Sequence, residues 1–116
     1  MDNWSLIGYR ARGIDIKPGS DPNCINPGSR GNIPVAILTV PGFDATLATS
    51  LTFGPNDAPA LRTAAEDVDG DSDLDLVAHF ATQATGITSS ATVACVTGLD
   101  GSGNPFRGCD AVCTRP

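Results

Sequence analysis

Prolines and glycines leave this chain almost no room for a helix. Nine prolines and thirteen glycines are scattered through 116 residues, and no stretch between them keeps apolar residues at a helical period. What recurs instead is the short alternating or β-branched run. Ile14-Asp15-Ile16 alternates. Residues 34–40, PVAILTV, are a continuous apolar run, the pattern of a central strand buried on both faces. Leu51–Phe53 reads as a short strand. Leu74, Leu76, Ala78 and Phe80 alternate with Asp75, Val77 and His79, which predicts a strand with one buried face. Residues 92–97 and 106–113 flank the turn formers DGSGN and predict a closing hairpin about Gly101–Ser102. Phe43–Thr49 has room for a single helical turn. The whole predicts an all-β fold, an antiparallel β-sandwich of jelly-roll or immunoglobulin-like kind with an N-terminal extension strand. We divide it into an extension, residues 1–12, and one domain, residues 13–116, long enough to bury most of its apolar surface.

The net charge of −6 comes from one place. Glu66, Asp67, Asp69, Asp71, Asp73 and Asp75 supply six of the 13 acids, and the remaining seven balance the seven Lys and Arg. No basic patch exists, which argues against nucleic acid and anionic membrane as partners. No apolar stretch approaches the ~20 residues of a membrane-spanning helix. The first twelve residues, MDNWSLIGYRAR, also lack the apolar centre of a signal peptide.

Crowding that much like charge into ten residues needs a cause. Asp67, Asp69, Asp71, Asp73 and Asp75 stand at alternate positions, so a tightly curled loop can turn their oxygens inward. Gly70 allows the curl without a Cβ clash. A hard dication takes six to eight oxygens at about 2.4 Å, and flexible oxygen geometry suits Ca²⁺ better than Mg²⁺. The expected ligands are the side chains of Asp67, Asp69, Asp71 and Asp75 and the backbone carbonyl of Asp73, around one ion or two. The plain alternative is a solvated acidic turn. Glu66, the sole Glu, adjoins the loop as a bridging group or as a solvated one.

Four cysteines, Cys24, Cys95, Cys109 and Cys113, form no CxxC pair, and one His cannot complete a Cys/His zinc site. Disulfides, and with them an oxidising extracellular setting, fit better. A hairpin about Gly101–Ser102 sets Cys95 opposite Cys109, which leaves Cys24 with Cys113. Two free buried thiols are the alternative. Enzyme chemistry finds little support. His79 is alone, and Asp75, four residues away on the same strand face, would lie ~13 Å from it, too far to orient a base. GSGNP is a turn, not a phosphate loop. We do not read the chain as an enzyme.

DVDGDSDLDLV resembles the calcium loop of integrin-type β-propeller repeats, D-x-D-G-D-G-x-x-D-L, with Asp67, Asp69, Asp71 and Asp75 on its ligand positions. Ser72 replaces that motif's second glycine. Ala78 stands where an EF-hand or dockerin has its last acid, so neither assignment fits, and the chain is too short for a propeller. More widely, IDIKPGSDPNCINPGSRGNIPVAIL, LTFGPNDA, EDVDGDSDLDLVAHFATQATGI and GNPFRGCDAV resemble a module that recurs in secreted bacterial and archaeal proteins. That resemblance implies an extracellular, calcium-binding β domain and does not imply catalysis. It also implies that partners of Cys95 and Cys109 belong to the module and that Cys24 and Cys113 are additions, paired with each other.

The extension carries the chain's only Trp and Tyr. Ser5, Ile7 and Tyr9 alternate with Trp4, Leu6 and Gly8, so both faces of an extended segment bear apolar groups. A lone strand of that kind suits insertion into a neighbouring subunit's sheet, and a head-to-tail contact of this type builds a filament. Docking on its own domain, or a linker to another, are the plainer readings. Asn3-Trp4-Ser5 is a glycosylation sequon. These features predict an extracellular structural module, a self-associating filament subunit, with calcium and disulfides as its stiffeners. The alternative is a calcium-dependent carbohydrate-binding or adhesion module, for which Trp4 or Tyr9 would have to supply the sugar platform.

Overall fold

Every second residue of NIPVAI, the strand β4 (Asn32–Ile37), is a β-branched side chain, and Ile33, Val35 and Ile37 all enter the core. Similar two-residue periods give β5 (Thr49–Phe53), β8 (Val93–Leu99) and β9 (Pro105–Ala111), which contribute Leu51 and Phe53, Ala94 and Val96, and Phe106. The computed structural model describes residues 10–17 and 24–114. Within them lie also β1 (Arg10–Ala11), β2 (Ile14–Ile16), β3 (Cys24–Ile25), β6 (Ala58–Glu66), β7 (Asp75–Ala81) and β10 (Cys113–Thr114). Two 3-10 turns, Ala45–Leu47 and Thr82–Ala84, are the only helical segments among the described residues. The first falls inside the stretch expected to hold one helical turn.

The fold is an all-β sandwich. One sheet runs β1-β9-β8-β5 and the other β6-β7-β4-β2, joined where β5 meets β6. Their facing sides share one core, in which Phe53 packs on Phe80 at 5.1 Å and Phe43 on Phe106 at 5.3 Å between ring centroids. Pairing is antiparallel except for β1 with β9 and β3 with β10, which are parallel.

Three strand expectations need correction. The run expected over 34–40 ends at Ile37: Leu38 and Thr39 leave the sheet, and Val40 only bridges Phe43. β7 does not have one buried face. Asp75 and Val77 are buried along with Leu76, Ala78 and Phe80, while Leu74 is exposed, because the acidic loop folds back over Asp75. The longest strand, β6, was not expected at all. Its sequence APALRTAAE has no β-branched run and is forced into a strand by the turn at Gly54–Asp57 and by pairing with β7.

The chain between β1 and β2 crosses from one sheet to the other and closes the sandwich on that side. Arg12 N–H donates to Arg107 O at 2.9 Å, and Ile16 N–H to the Asp110 carboxylate at 3.1 Å. The crossing passes so close to β9 that a Cβ on Gly108 would meet Arg12 O and Ile14 Cγ2 at 2.6 Å, which explains glycine there. Arg12 lays its guanidinium over Phe43, 4.4 Å from the ring centroid.

This seam brings two acids together. Burial, and then the charge of Asp110, raise the Asp15 carboxyl above the ordinary aspartate range. A carboxyl held high favours the protonated form in the fold. Its stabilising contribution is therefore complete below the unfolded value, about 3.9, and is lost as pH rises through the raised value. Asp15→Asn is expected to raise the melting temperature slightly at pH 7 and to show no gain near pH 3 in paired thermal melts.

Candidate metal centre

β6 and β7 are joined by residues 67–74, and Glu66 at the end of one strand pairs with Asp75 at the start of the other. The loop therefore springs from a rigid antiparallel base. It is curled by its own carboxylates. Asp67 accepts from Gly70 N at 2.9 Å and Ser72 N at 3.0 Å, and Asp71 accepts from Asp73 N at 2.9 Å. Gly70 sits at φ 74° and Ser72 at φ 75°. Both belong to the left-handed region, so the position where the propeller-type loop has its second glycine does demand that conformation. A non-glycine residue there costs roughly 1–2 kcal/mol. Ser72→Gly is expected to raise stability by about 1 kcal/mol, read as a shift in the denaturant midpoint.

Asp75 is the fixed point of the site. It is fully buried, and its two carboxylate oxygens accept from Thr39 N at 2.8 Å and Val68 N at 3.1 Å. Thr39 is held in turn: its hydroxyl donates to Leu74 O at 2.7 Å and accepts from Ala45 N at 2.9 Å. Thr39, which anchors Asp75 through the backbone, had no signal in the sequence, since it lies 36 residues away. Each carboxylate oxygen keeps a further lone pair for a cation.

Asp67, Asp69, Asp71 and Asp75 each offer an oxygen, and these four lie within 4.8 Å of one another. The cluster can hold a metal ion. Three of its members are exposed and Asp75 is buried, so an ion would sit at the surface against a rigid floor. Like charges this close repel by about 1 kcal/mol per pair even at the dielectric of water. The consequence shows at Asp69, whose carboxyl is raised from its ordinary value by desolvation, then by its hydrogen bond with Asp71 and the charges of Asp75 and Asp71. The Asp73 carboxylate is not part of the group. Glu66 is exposed beside it.

No family model matches the chain, and no curated protein matches it.

The remaining candidate residues separate into two sets. The four cysteines form two disulfides, Cys95–Cys109 across directly opposed residues of β8 and β9, and Cys24–Cys113 between β3 and β10. They lie on different elements from the acidic loop, so they act on the scaffold and not on the ion. His79 is half-buried on β7 between Pro34 and Arg62 of its neighbours. Asn3, Trp4, Leu6, Ile7 and Tyr9 lie outside the described residues. Among the described residues no helix is long and apolar enough to cross a membrane.

Proposed function

We propose that the chain is an extracellular structural module, stiffened by Ca²⁺ and two disulfides, that serves as a filament subunit through its N-terminal strand. The observation that carries the reading is the group of four aspartate oxygens within 4.8 Å, tied to the ends of two paired strands. A cluster of carboxylate oxygens on a flexible loop supplies the hard, adaptable oxygen donors that suit Ca²⁺ better than Mg²⁺. Two disulfides support an oxidising exterior. The resemblance of residues 13–115 to a module of secreted bacterial and archaeal proteins points the same way.

Assembly rests on the extension. Arg10 and Ala11 pair in parallel with Phe106 and Arg107 of β9, and the apolar alternation of residues 4–9 suits strand addition to a neighbouring copy. The glycan-binding alternative has less to stand on, because all four Phe are buried and leave no aromatic platform among the described residues.

Calorimetric titration with Ca²⁺ and with Mg²⁺ tests the metal. Saturable Ca²⁺ binding, weaker Mg²⁺ binding and loss of both in Asp69→Asn/Asp71→Asn are expected; no heat with Ca²⁺ would overturn the reading. Negative-stain images of the native chain should show fibres that deletion of residues 1–9 abolishes. A glycan-array signal lost on Trp4→Ala, with no fibres, would favour the adhesion module instead.

A further inference from the structure

The two sheets part company just after they join. β5 and β6 pair at Phe53–Ala58 and Thr52–Pro59 and nowhere else. From Ala60 to Glu66 β6 bonds only to β7, so among the described residues its other edge carries unpaired N–H and C=O groups. Both faces of this stretch are open as well: Leu61 to Glu66 are all exposed, Leu61 by 56%. The other outer edges are managed. β9 is covered by β1 and by the Arg12 bond, and β2 is three residues long with its Ile16 N–H capped by Asp110. A long, exposed edge whose middle, Thr63 to Ala65, carries no charge is a template for strand addition.

We propose that the open edge of β6, Leu61 to Glu66, receives residues 1–9 of a second copy as an added strand. The inference rests on the filament reading and names its acceptor. Two features select this occupant. Nine residues are enough to span the open stretch of β6. The sizes also complement each other. Thr63, Ala64 and Ala65 are small, and across β7 they neighbour Ala78, Val77 and Leu76. Ala78 and Leu76 belong to the core, and Val77 is buried on the opposite face. An added strand with large apolar groups on both faces, Trp4 and Leu6 on one and Ile7 and Tyr9 on the other, extends both of these apolar rows. The same β6 leads straight into Asp67, so an ion at the loop would hold the acceptor edge in register.

The test uses the full chain and a synthetic peptide of residues 1–9 in which a photoreactive benzoylphenylalanine replaces Leu6. Added in excess during assembly, the peptide is expected to shorten fibres, and its photoadducts to map within residues 58–66. Successive backbone N–H groups point to opposite edges of a strand, so one of Thr63→Pro and Ala64→Pro removes an outward donor and the other an inward one. The outward variant should keep the wild-type melt and lose polymer by about tenfold or more. Fibres with adducts mapped elsewhere overturn the β6 assignment and leave the filament reading in place. A full chain that stays monomeric and takes up no peptide overturns both.

Discussion

Chelation with EDTA is expected to lower the melting temperature by about 10–20 °C relative to 10 mM Ca²⁺. The size follows from linkage. An extracellular calcium site has a Kd of about 10⁻⁴ M, and an ion at about a hundred times its Kd stabilises the fold by about 2.7 kcal/mol. Each kcal/mol moves the midpoint of a domain of roughly 100 residues by about 4–8 °C. The structure gives the linkage a mechanical route. Asp67 directly follows the last residue of β6, Asp75 begins β7, and Thr39 connects Asp75 to the segment after β4. A shared ion thus ties three parts of one sheet together, and without it the four oxygens within 4.8 Å repel. Mg²⁺ at the same concentration should restore less. Acidification should weaken binding, because ligand carboxylates must be deprotonated and that of Asp69 is already raised from its ordinary value. An EDTA melt that overlays the Ca²⁺ melt would leave the cluster a solvated turn.

How much of this was legible beforehand depended on whether a residue's partner was near in sequence. The acidic loop carries its signal within itself: alternate aspartates and a glycine at the turn are local chemistry, and Gly70 does adopt a positive φ. Ser72 could be flagged as a departure from the motif, but only the backbone shows that its position is left-handed. The β8–β9 hairpin was readable from the turn formers between its strands, although the register that sets Cys95 opposite Cys109 centres on Ser102, with residues 100–104 as the loop, and not between Gly101 and Ser102. β6 was not readable. Four of its nine residues are alanine, a weak strand former, and what makes them a strand is the ladder with β7. The burial of Asp75 was hidden for the same reason. A carboxylate on an alternating strand reads as solvent-facing, and only the distant N–H of Thr39 and the loop folded over it reverse that.

Removing the Cys24–Cys113 bridge should cost more than removing Cys95–Cys109, although it ties the smaller pair of strands. Cys24 and Cys113 are 89 residues apart and Cys95 and Cys109 only 14. Closing loops of these lengths in the unfolded chain is worth about 4.5 and about 3 kcal/mol respectively. The native contacts reinforce the order. β8 and β9 share a continuous ladder from Val93–Ala111 to Leu99–Pro105, which holds the hairpin without its disulfide. β3 and β10 have two residues each and, among the described residues, no other strand partner, so the bridge is their main constraint. Their loosening would uncover Ile25 and Val112, both part of the core. It would also free the Lys17 ammonium that donates to Cys24 O. Cys24→Ser/Cys113→Ser is expected to lower the melting temperature by roughly 20–35 °C, and Cys95→Ser/Cys109→Ser by clearly less. Loss of both, about 7.5 kcal/mol, is comparable with the whole stability of an ordinary domain, about 5–15 kcal/mol. Full reduction should therefore unfold the chain unless Ca²⁺ is present to offset part of it. Equal melts for the two double mutants would mean that local pairing, and not loop length, sets the value of each bridge.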